Sequence, residues 1–220
     1  MDEDDFLVTA DISSLYTNIE NSLTLKYVFQ QFQRFLDKNR QDRILLKILQ
    51  VLLYANDFIF AGKNFLQLMG SSMGLSCSTS LANIFLLHFD NRAMNSFRIK
   101  PKNYFRFSDG IFFRFRGSRE ELLEYEMFLN NLIPNITLSF TQILVKADFL
   151  DVSVFKFVSK HKCTLQTNVF FKDTDTHALL YNSSYHPYHT FSSIVFSQLL
   201  RFKRLSSFKS DFELSSRISL

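Results

Sequence analysis

Residues 104–113 read YFRFSDGIFF, and two runs rich in Phe flank a short polar break in this stretch. The pattern predicts two β-strands joined by a tight turn, because Ser, Asp and Gly are residues that such turns favour. The break holds one carboxylate, Asp109, at the tip of the predicted hairpin. Two interpretations are open: the aspartate supplies turn chemistry alone, or the turn presents it as a ligand for a metal ion.

Strands and helices are predicted to alternate on both sides of this hairpin. The predicted strands are FLVTADI ending at Asp11, a hairpin in DFIFAGKNFLQ with a Gly-Lys turn, and segments 137–141, 149–157 and 163–171. The first predicted helix begins at a cap, Asn21 or Ser22, and ends at about Leu36, and a second covers residues 42–54. In a third, Leu81, Phe85, Leu86 and Phe89 share one face. A fourth covers 119–132 after a Ser118–Glu121 capping box, and a fifth covers 191–208. Because the alternation has no regular period, we predict an α+β fold with helices on one face of an antiparallel sheet, a small C-terminal helical segment and no internal repeat.

Length and composition exclude several classes of protein. A chain of 220 residues that is 46% hydrophobic buries a core as one domain or as a domain with a small appendage, and it is not a disordered tail. Two cysteines are too few for a disulfide framework. The acidic start MDEDDFLVTA differs from a signal or transit peptide, and no apolar run reaches the ~18 residues of a membrane span. We therefore expect an intracellular protein, nuclear or cytoplasmic, with no membrane partner.

Positive charge is concentrated in two parts of a chain whose formal net charge is only +4. Between Arg92 and Arg119 there are eight Lys or Arg residues and a single acid, Asp109. The second cluster, near the C-terminus, consists of Arg201, Lys203, Arg204 and Lys209. Such clusters either form a solvated face or bind an anionic partner.

Two aspartates lie where a central sheet could bring them together. Asp11 ends one apolar strand, and Asp109 occupies the turn between two others. Carboxylates on adjacent strands supply the hard oxygen ligands that Mg²⁺ prefers, and Mg²⁺ beside a basic surface suggests phosphoryl or nucleotidyl transfer. A zinc site is a weaker alternative, because Cys163, His177, His186 and His189 lack the tight pairwise spacing of zinc fingers.

Six longer motifs add a more specific signal. In chain order they are TADISSLYTNIE, FLQLMGSSMGLSCSTSLANIFLL, YFRFSDGIFFRFRGS, FLNNLIPNITLSFT, FLDVSV and TNVFFKDTDTHALLYNSSYHPYH. Together they span nearly the whole chain, and their order resembles that of the reverse transcriptase domain of Penelope-like retroelements. The resemblance implies a right-hand polymerase palm with partial fingers over residues 1–158. It also implies a post-palm hairpin and helix-turn-helix-like region over residues 159–220.

The activity that the resemblance implies is RNA-directed DNA polymerisation. Its cofactor would be Mg²⁺, or Mn²⁺ in its place, and its partners would be an RNA template, a DNA primer and deoxynucleoside triphosphates. Asp11 matches the first palm carboxylate and Asp109 the carboxylate of the Tyr-x-Asp-Asp box, while the backbone carbonyl of Ile12 would help to hold the second ion.

Further site residues also follow from the resemblance. Tyr16 matches the side chain that packs under the deoxyribose, although the same residue could be an ordinary core tyrosine. A loop that lets the backbone approach the nucleotide is matched by Gln67, Gly70, Met73 and Gly74. A primer-grip hairpin is matched by Phe149, Leu150 and Asp151, for which a core strand is the alternative. The residues expected to contact nucleic acid are Arg106, Arg114, Arg116, Arg201, Lys203 and Arg204.

The chain departs from the family at Gly110, where the second aspartate of the Tyr-x-Asp-Asp box should stand. Two carboxylates would then balance a charge that three normally balance, so metal binding should suffer. Asp148 or Asp151 could supply a substitute. The missing fingers and endonuclease domains would belong to a longer product. The alternative function is a non-catalytic relic that binds RNA or an RNA–DNA hybrid, and a fragment that folds poorly is a third hypothesis.

Overall fold

The structure is a computed structural model that describes residues 4–159, 162–175, 179–181 and 183–219. Its helices are α1 (Leu15–Asn18), α2 (Asn21–Arg34), α3 (Asp42–Tyr54), α4 (Ser78–Asn95), α5 (Arg119–Asn130), α6 (Tyr188–Leu205) and α7 (Lys209–Ser219). Its strands are β1 (Phe6–Ile12), β2 (Asp57–Phe60), β3 (Lys63–Leu66), β4 (Lys102–Phe107), β5 (Gly110–Phe115), β6 (Leu138–Ile143), β7 (Lys146–Phe149), β8 (Val152–Ser159) and β9 (Lys162–Val169).

These strands form three sheets among the described residues. The largest has the strand order β4-β5-β1-β6, a two-stranded sheet pairs β2 with β3, and a three-stranded sheet has the order β7-β8-β9. The pairs β2–β3, β7–β8 and β8–β9 are antiparallel. The mixed α+β fold with antiparallel sheet and helices is therefore confirmed.

Several element boundaries differ from the prediction. The turn between β2 and β3 consists of Ala61 and Gly62, both with positive φ, and Lys63 already belongs to β3. Neither Asn21 nor Ser22 is the cap of α2, since the cap is Glu20. Asn21 is instead buried, and its Nδ2 donates to the carbonyl of Leu53 at 3.2 Å.

Three elements lie outside the prediction, each for a local reason. Helix α1 has only four residues, too few to show an apolar period. Strand β7 shares only Phe149 with the predicted strand over 149–157, and the chain turns at Leu150, whose φ is 56°, before β8 begins. Helix α7 has the sequence KSDFELSSRIS, and its serines weaken the helical signal.

The chain divides into two compact units. Unit 1 comprises Met1–Thr9, Phe112–Arg116 and Thr141–Leu220, and unit 2 comprises Ala10–Ile111 and Gly117–Phe140. The predicted division into a palm with partial fingers over 1–158 and a post-palm region over 159–220 concerns family domains and stays a prediction. Within the described ranges, none of the helices has the length and apolar character that crossing a membrane requires.

Unit 2 has a core built on the buried face of α4. Leu81, Phe85, Leu86 and Phe89 are all at most 3% exposed, which confirms the predicted face. Leu81 also packs with Val28 of α2 and Leu53 of α3. The predicted capping box of α5 is present, because Ser118 accepts from the Glu121 amide and the Glu121 side chain accepts from the Ser118 amide.

Unit 1 has a separate apolar cluster. Leu7, Phe112 and Ala147 are buried there, and Phe149 and Val154 are among the half-buried residues that pack against them. Helices α6 and α7 pack against β9. The connection between α6 and α7 is bonded to this strand, since the Ser207 amide donates to the Thr167 carbonyl at 2.7 Å.

Candidate active site

The two predicted carboxylates lie on adjacent backbone segments of unit 2. Asp11 is exposed near the end of β1, between Ala10 and Ile12, which are buried. Asp109 is exposed in the turn between β4 and β5. The amide of Ile12 donates to the carbonyl of Asp109 at 3.0 Å, so the end of β1 and the turn are in direct contact. The structure brings the two segments together as the sheet argument expected, and the metal-binding role stays a prediction.

β1 is also held on its other side. The Ser13 amide donates to the Thr137 carbonyl at 2.9 Å, and Ser139 Oγ donates to the Asp11 carbonyl at 3.4 Å. The backbone on both sides of Asp11 is therefore bonded within unit 2.

The turn that carries Asp109 has an unusual backbone. Ser108 adopts a left-handed conformation with φ 53°, which is disfavoured for any residue other than Gly by about 1–2 kcal/mol. Its carbonyl accepts a hydrogen bond from Arg106 Nη1 at 3.0 Å. Gly110 follows as the first residue of β5 and is buried. The turn is therefore braced by a side chain as well as by the backbone of β1.

The predicted nucleotide-binding loop contacts the segment that contains Tyr16. The Ser71 amide donates to the Tyr16 carbonyl at 2.7 Å. Gly70 has φ +84°, and a Cβ added there would lie 2.4 Å from the Tyr16 carbonyl oxygen and 2.7 Å from Thr17 Cα. Only glycine fits this approach. Tyr16 itself is half-buried.

The other predicted loop residues lie nearer the surface. Gln67 is half-buried, and its Nε2 donates to the Met69 carbonyl at 2.9 Å. Met73 is 77% exposed. Gly74 is exposed and its amide donates to Ser72 Oγ at 3.3 Å.

Sequence reasoning missed two buried serines that tie this loop to α4. Ser71 Oγ lies 2.6 Å from Ser78 Oγ, and the Ser78 hydroxyl also donates to the Ser72 carbonyl. Both side chains are at most 2% exposed. The run of small residues is the available signal in the sequence, and it does not tell which serines are buried.

The predicted nucleic-acid-binding arginines differ in how accessible they are. In unit 2, the Arg106 side chain is 11% exposed and pairs with Asp90. In unit 1, Arg114 and Arg116 each lie 3.5 Å from a carboxylate oxygen of Asp5, which is 3% exposed. The Arg114 side chain is 20% exposed and that of Arg116 is 63% exposed.

The C-terminal basic residues are more open. Lys203 and Arg204 are exposed in the last turn of α6. Arg201 is exposed as well and pairs with Asp151. Contacts of all these residues with nucleic acid stay a prediction.

The predicted primer-grip residues take three different positions. Phe149 packs against Phe112, with ring centroids 5.8 Å apart, so it serves the core of unit 1. Leu150 occupies the left-handed turn position, and Asp151 pairs with Arg201. The Ser153 hydroxyl donates to the Asp148 carboxylate, which also lies 3.7 Å from Lys146 Nζ.

No group of three or more His, Cys, Asp or Glu residues that could hold a metal ion occurs in the described part of the chain. Of the residues considered for zinc, His177 lies outside that part. Asp11 and Asp109 form a pair of segments and not such a group, and their role as metal ligands stays a prediction.

Comparison with known proteins gives a match in structure alone. No protein-family model and no curated protein matches the chain. Apo telomerase from Candida tropicalis is similar with a TM-score of 0.56 and 10% identity over 69% of this chain and 30% of that one. A form of it truncated from the C-terminal domain has a TM-score of 0.51 and 11% identity, over 69% of this chain and 34% of that one. Candida albicans telomerase in complex with a TWJ fragment of telomeric RNA has a TM-score of 0.51 and 11% identity, over 69% of this chain and 30% of that one.

At this level of identity the likeness concerns the fold. The chain spans about a third of the length of these telomerases. The chain therefore has a fold similar to part of these telomerases, with mixed helices and sheets, and within it the segments of Asp11 and Asp109 are hydrogen-bonded to each other.

Proposed function

We propose that the chain is the reverse transcriptase domain of a Penelope-like retroelement, an RNA-directed DNA polymerase whose catalysis is impaired in this sequence. The observation that carries the proposal is the 3.0 Å hydrogen bond from the Ile12 amide to the Asp109 carbonyl. It joins the two segments that bear exposed carboxylates within a polymerase-like fold. The palm with partial fingers would cover residues 1–158, and a longer product in the nucleus or cytoplasm would supply the rest.

The residues present fit a divalent ion in chemical type. Asp11 and Asp109 are both exposed and both offer hard carboxylate oxygens, which suit Mg²⁺ or Mn²⁺, and the Ile12 carbonyl is a further candidate ligand. When bound, such ions neutralise developing charge on the transferring phosphoryl group and activate the primer hydroxyl.

The remaining site residues would bind and orient the substrates. The half-buried ring of Tyr16 would pack under the sugar of the deoxynucleoside triphosphate. Gly70, with Gln67, Met73 and Gly74 in the same loop, would let the backbone approach the templating base. The phosphates of the RNA template and DNA primer would be bound by the exposed basic residues, Arg116, Arg201, Lys203 and Arg204.

A second candidate function, non-catalytic binding of RNA or an RNA–DNA hybrid, is favoured by Gly110. This residue stands where the family has a second acidic residue, so two carboxylates would balance a charge that three normally balance. Binding through phosphates and A-form shape does not depend on the missing carboxylate.

Primer extension on an RNA template tests both candidates. The chain and its Gly110→Asp variant are compared with Mg²⁺ and with Mn²⁺, and Asp11→Asn in each background is the matched control. Extension that Asp11→Asn abolishes supports the polymerase. If the Gly110→Asp variant alone extends primers, the missing carboxylate is what silences the site.

The second candidate has its own signature in the same preparations. If the chain only binds, we expect its affinity for a hybrid to fall steeply with salt and to be unchanged by Asp11→Asn. Neither the chain nor its Asp11→Asn variant should then extend primers. Absence of both extension and hybrid binding would refute both candidates.

A further inference from the structure

A cluster of polar side chains links α4 to the turn that carries Asp109. Asp90 and Asn83 belong to α4, and Tyr104 and Arg106 belong to β4. All four residues lie in unit 2. The proposed function gives none of them a role at the turn.

Asp90 is the centre of this cluster. Arg106 Nε lies 3.0 Å from both carboxylate oxygens of Asp90, and Tyr104 Oη donates to Oδ1 at 2.8 Å. The side chains of Arg106 and Asp90 are only 11% and 19% exposed. A charge-assisted pair with this little solvent around it holds its geometry better than a surface ion pair does.

Tyr104 supports the pair as a permanent donor. Burial and then the negative charge of Asp90 raise the pKa of the Tyr104 phenol far above its ordinary value. The hydroxyl therefore keeps its proton, and Asp90 keeps a donor besides Arg106.

The same guanidinium reaches the turn itself. Arg106 Nη1 donates to the Ser108 carbonyl at 3.0 Å and to Asn83 Oδ1 at 3.1 Å. Ser108 is the residue with left-handed φ, directly before Asp109. On the other side, the Asp109 carbonyl accepts from the Ile12 amide. Two successive carbonyls of the turn are thus bonded. The Ser108 carbonyl is held by Arg106, which α4 anchors through Asp90, and the Asp109 carbonyl is held by the Ile12 amide of β1.

We propose that Asp90 and Arg106 are positioning residues that hold the Ser108–Asp109 turn in the conformation that presents the Asp109 carboxylate beside Asp11. This inference rests on the proposed function for the meaning of that presentation. It gives Arg106 a structural task, because its Nε and Nη1 are already bonded to Asp90, Asn83 and Ser108.

The first test reads the turn directly and needs no activity. Amide hydrogen exchange by NMR is measured at Ile12, whose N–H is bonded to the Asp109 carbonyl. We expect Arg106→Gln and Asp90→Asn each to lower the protection of this amide at least tenfold. The protection of this amide in the double variant should be no lower than in the less protected single variant, because both changes disrupt the same Asp90–Arg106 pair.

Two variants separate geometry from charge and from general loss of stability. Arg106→Lys keeps the positive charge but not the fork that reaches Asp90 and Ser108 together, so it should not restore protection. Arg98→Gln is the matched control, since Arg98 is 57% exposed and pairs with Glu121 and Glu124. Unchanged protection at Ile12 in Arg106→Gln, or full rescue by Arg106→Lys, would overturn the proposal. If Arg106→Gln does not fold, Asp90→Asn and Arg106→Lys decide the same question.

The second test links the turn to the proposed site, with Mn²⁺ alone as the probe. Electron paramagnetic resonance follows free Mn²⁺ during titration of the chain and its variants. Asp109→Asn should weaken binding at least tenfold, and Arg106→Gln should weaken it at least threefold with Asp109 intact. If Asp109→Asn binds Mn²⁺ as the chain does, the proposed function fails, and hydrogen exchange still decides the positioning role. If Asp109→Asn weakens binding and Arg106→Gln does not, the positioning role fails.

Discussion

At the scale of single residues, Gly70 lies where a side chain does not fit. Its φ is +84°, and an added Cβ would lie 2.4 Å from the Tyr16 carbonyl oxygen. Gly62 provides a matched control, since its φ is +74° but nothing among the described residues lies within 4 Å of an added Cβ. Both glycines therefore carry a conformational cost on substitution, and Gly70 alone adds a collision with the backbone.

We predict that Gly70→Ala lowers the free energy of unfolding by about 3 kcal/mol and Gly62→Ala by about 1 kcal/mol. Urea denaturation followed by circular dichroism measures both. Because the collision would displace the Tyr16 segment, binding of a deoxynucleoside triphosphate should also weaken in Gly70→Ala. Equal destabilisation by the two changes would contradict the close approach of the Gly70 loop to Tyr16.

The buried phenol of Tyr125 makes the stability of the fold depend on pH in the alkaline range. Its side chain is fully buried, its hydroxyl donates to the Ala93 carbonyl at 2.9 Å, and burial raises the pKa of the phenol above its ordinary value. Above about pH 10 the unfolded chain loses this proton while the folded chain keeps it, so stability falls as pH rises.

The Tyr125→Phe variant isolates this contribution. Near neutral pH it should be less stable than the chain by about 1 kcal/mol, because the Ala93 carbonyl loses its donor. Above about pH 10 this difference should shrink by up to about 1.4 kcal/mol per pH unit. Chemical denaturation at several pH values measures it, and a difference that stays constant to pH 11 would count against the raised pKa.

At the scale of elements, α3 has one buried position among several exposed apolar ones. Leu53 is 0% exposed and packs with Val28 and Leu81, whereas the neighbouring Leu52 is 37% exposed. The apolar run ILLKILQVLLY predicts the helix, but an almost continuous run does not tell which leucine faces the core.

We predict that Leu53→Ala lowers the free energy of unfolding by about 2–5 kcal/mol, since it removes buried methyl groups and leaves a cavity. Leu52→Ala removes the same atoms from the same helix, and its cost should stay below about 1.5 kcal/mol. Thermal or urea unfolding of the pair gives the comparison. Equal losses would show that the helix packs by a different face.

Elements with a strong local signal were predicted well. The hairpin around Asp109, α3 and the capped helix α5 each carry a turn, a periodic run or a capping box in their own sequence. Strand β7 was missed because its sequence KADF contains two charged residues and shows no apolar run, and Leu150, with φ 56°, separates it from β8. Nothing in the local sequence marks Leu as a residue with positive φ.

At the scale of the whole molecule, the charge distribution predicts how binding responds to salt. Lys203 and Arg204 are exposed on α6, unlike Arg106 and Arg114, which are largely buried. Each phosphate contact releases counterions and adds roughly 0.7–0.9 to the slope of log affinity against log salt concentration.

We predict that replacing Lys203 and Arg204 together by Ala reduces that slope by about 1.4–1.8 for an RNA–DNA hybrid. The matched control replaces Lys26 and Lys38, two exposed lysines outside the basic clusters. Fluorescence anisotropy over a series of KCl concentrations measures both variants. A slope that changes equally in both would assign the effect to net charge rather than to the C-terminal basic residues.

The candidate site was predictable from the sequence to the extent that its parts are local. The strand that ends at Asp11, the turn that holds Asp109 and the glycine-containing loop each follow from motifs of a few residues. Such features depend on backbone preferences that act over one or two turns of chain. The sequence by itself thus determined the α+β class, the strand that ends at Asp11 and the turn that holds Asp109.

The tertiary structure alone decided what these parts contact. Arg106 is basic and lies in a basic stretch, yet it pairs with Asp90 of another element and braces the Asp109 turn. Phe149 became part of a core, and Gly70 came within contact distance of Tyr16. Burial and ion pairing depend on residues far apart in the chain, so no local pattern specifies which partner a side chain meets.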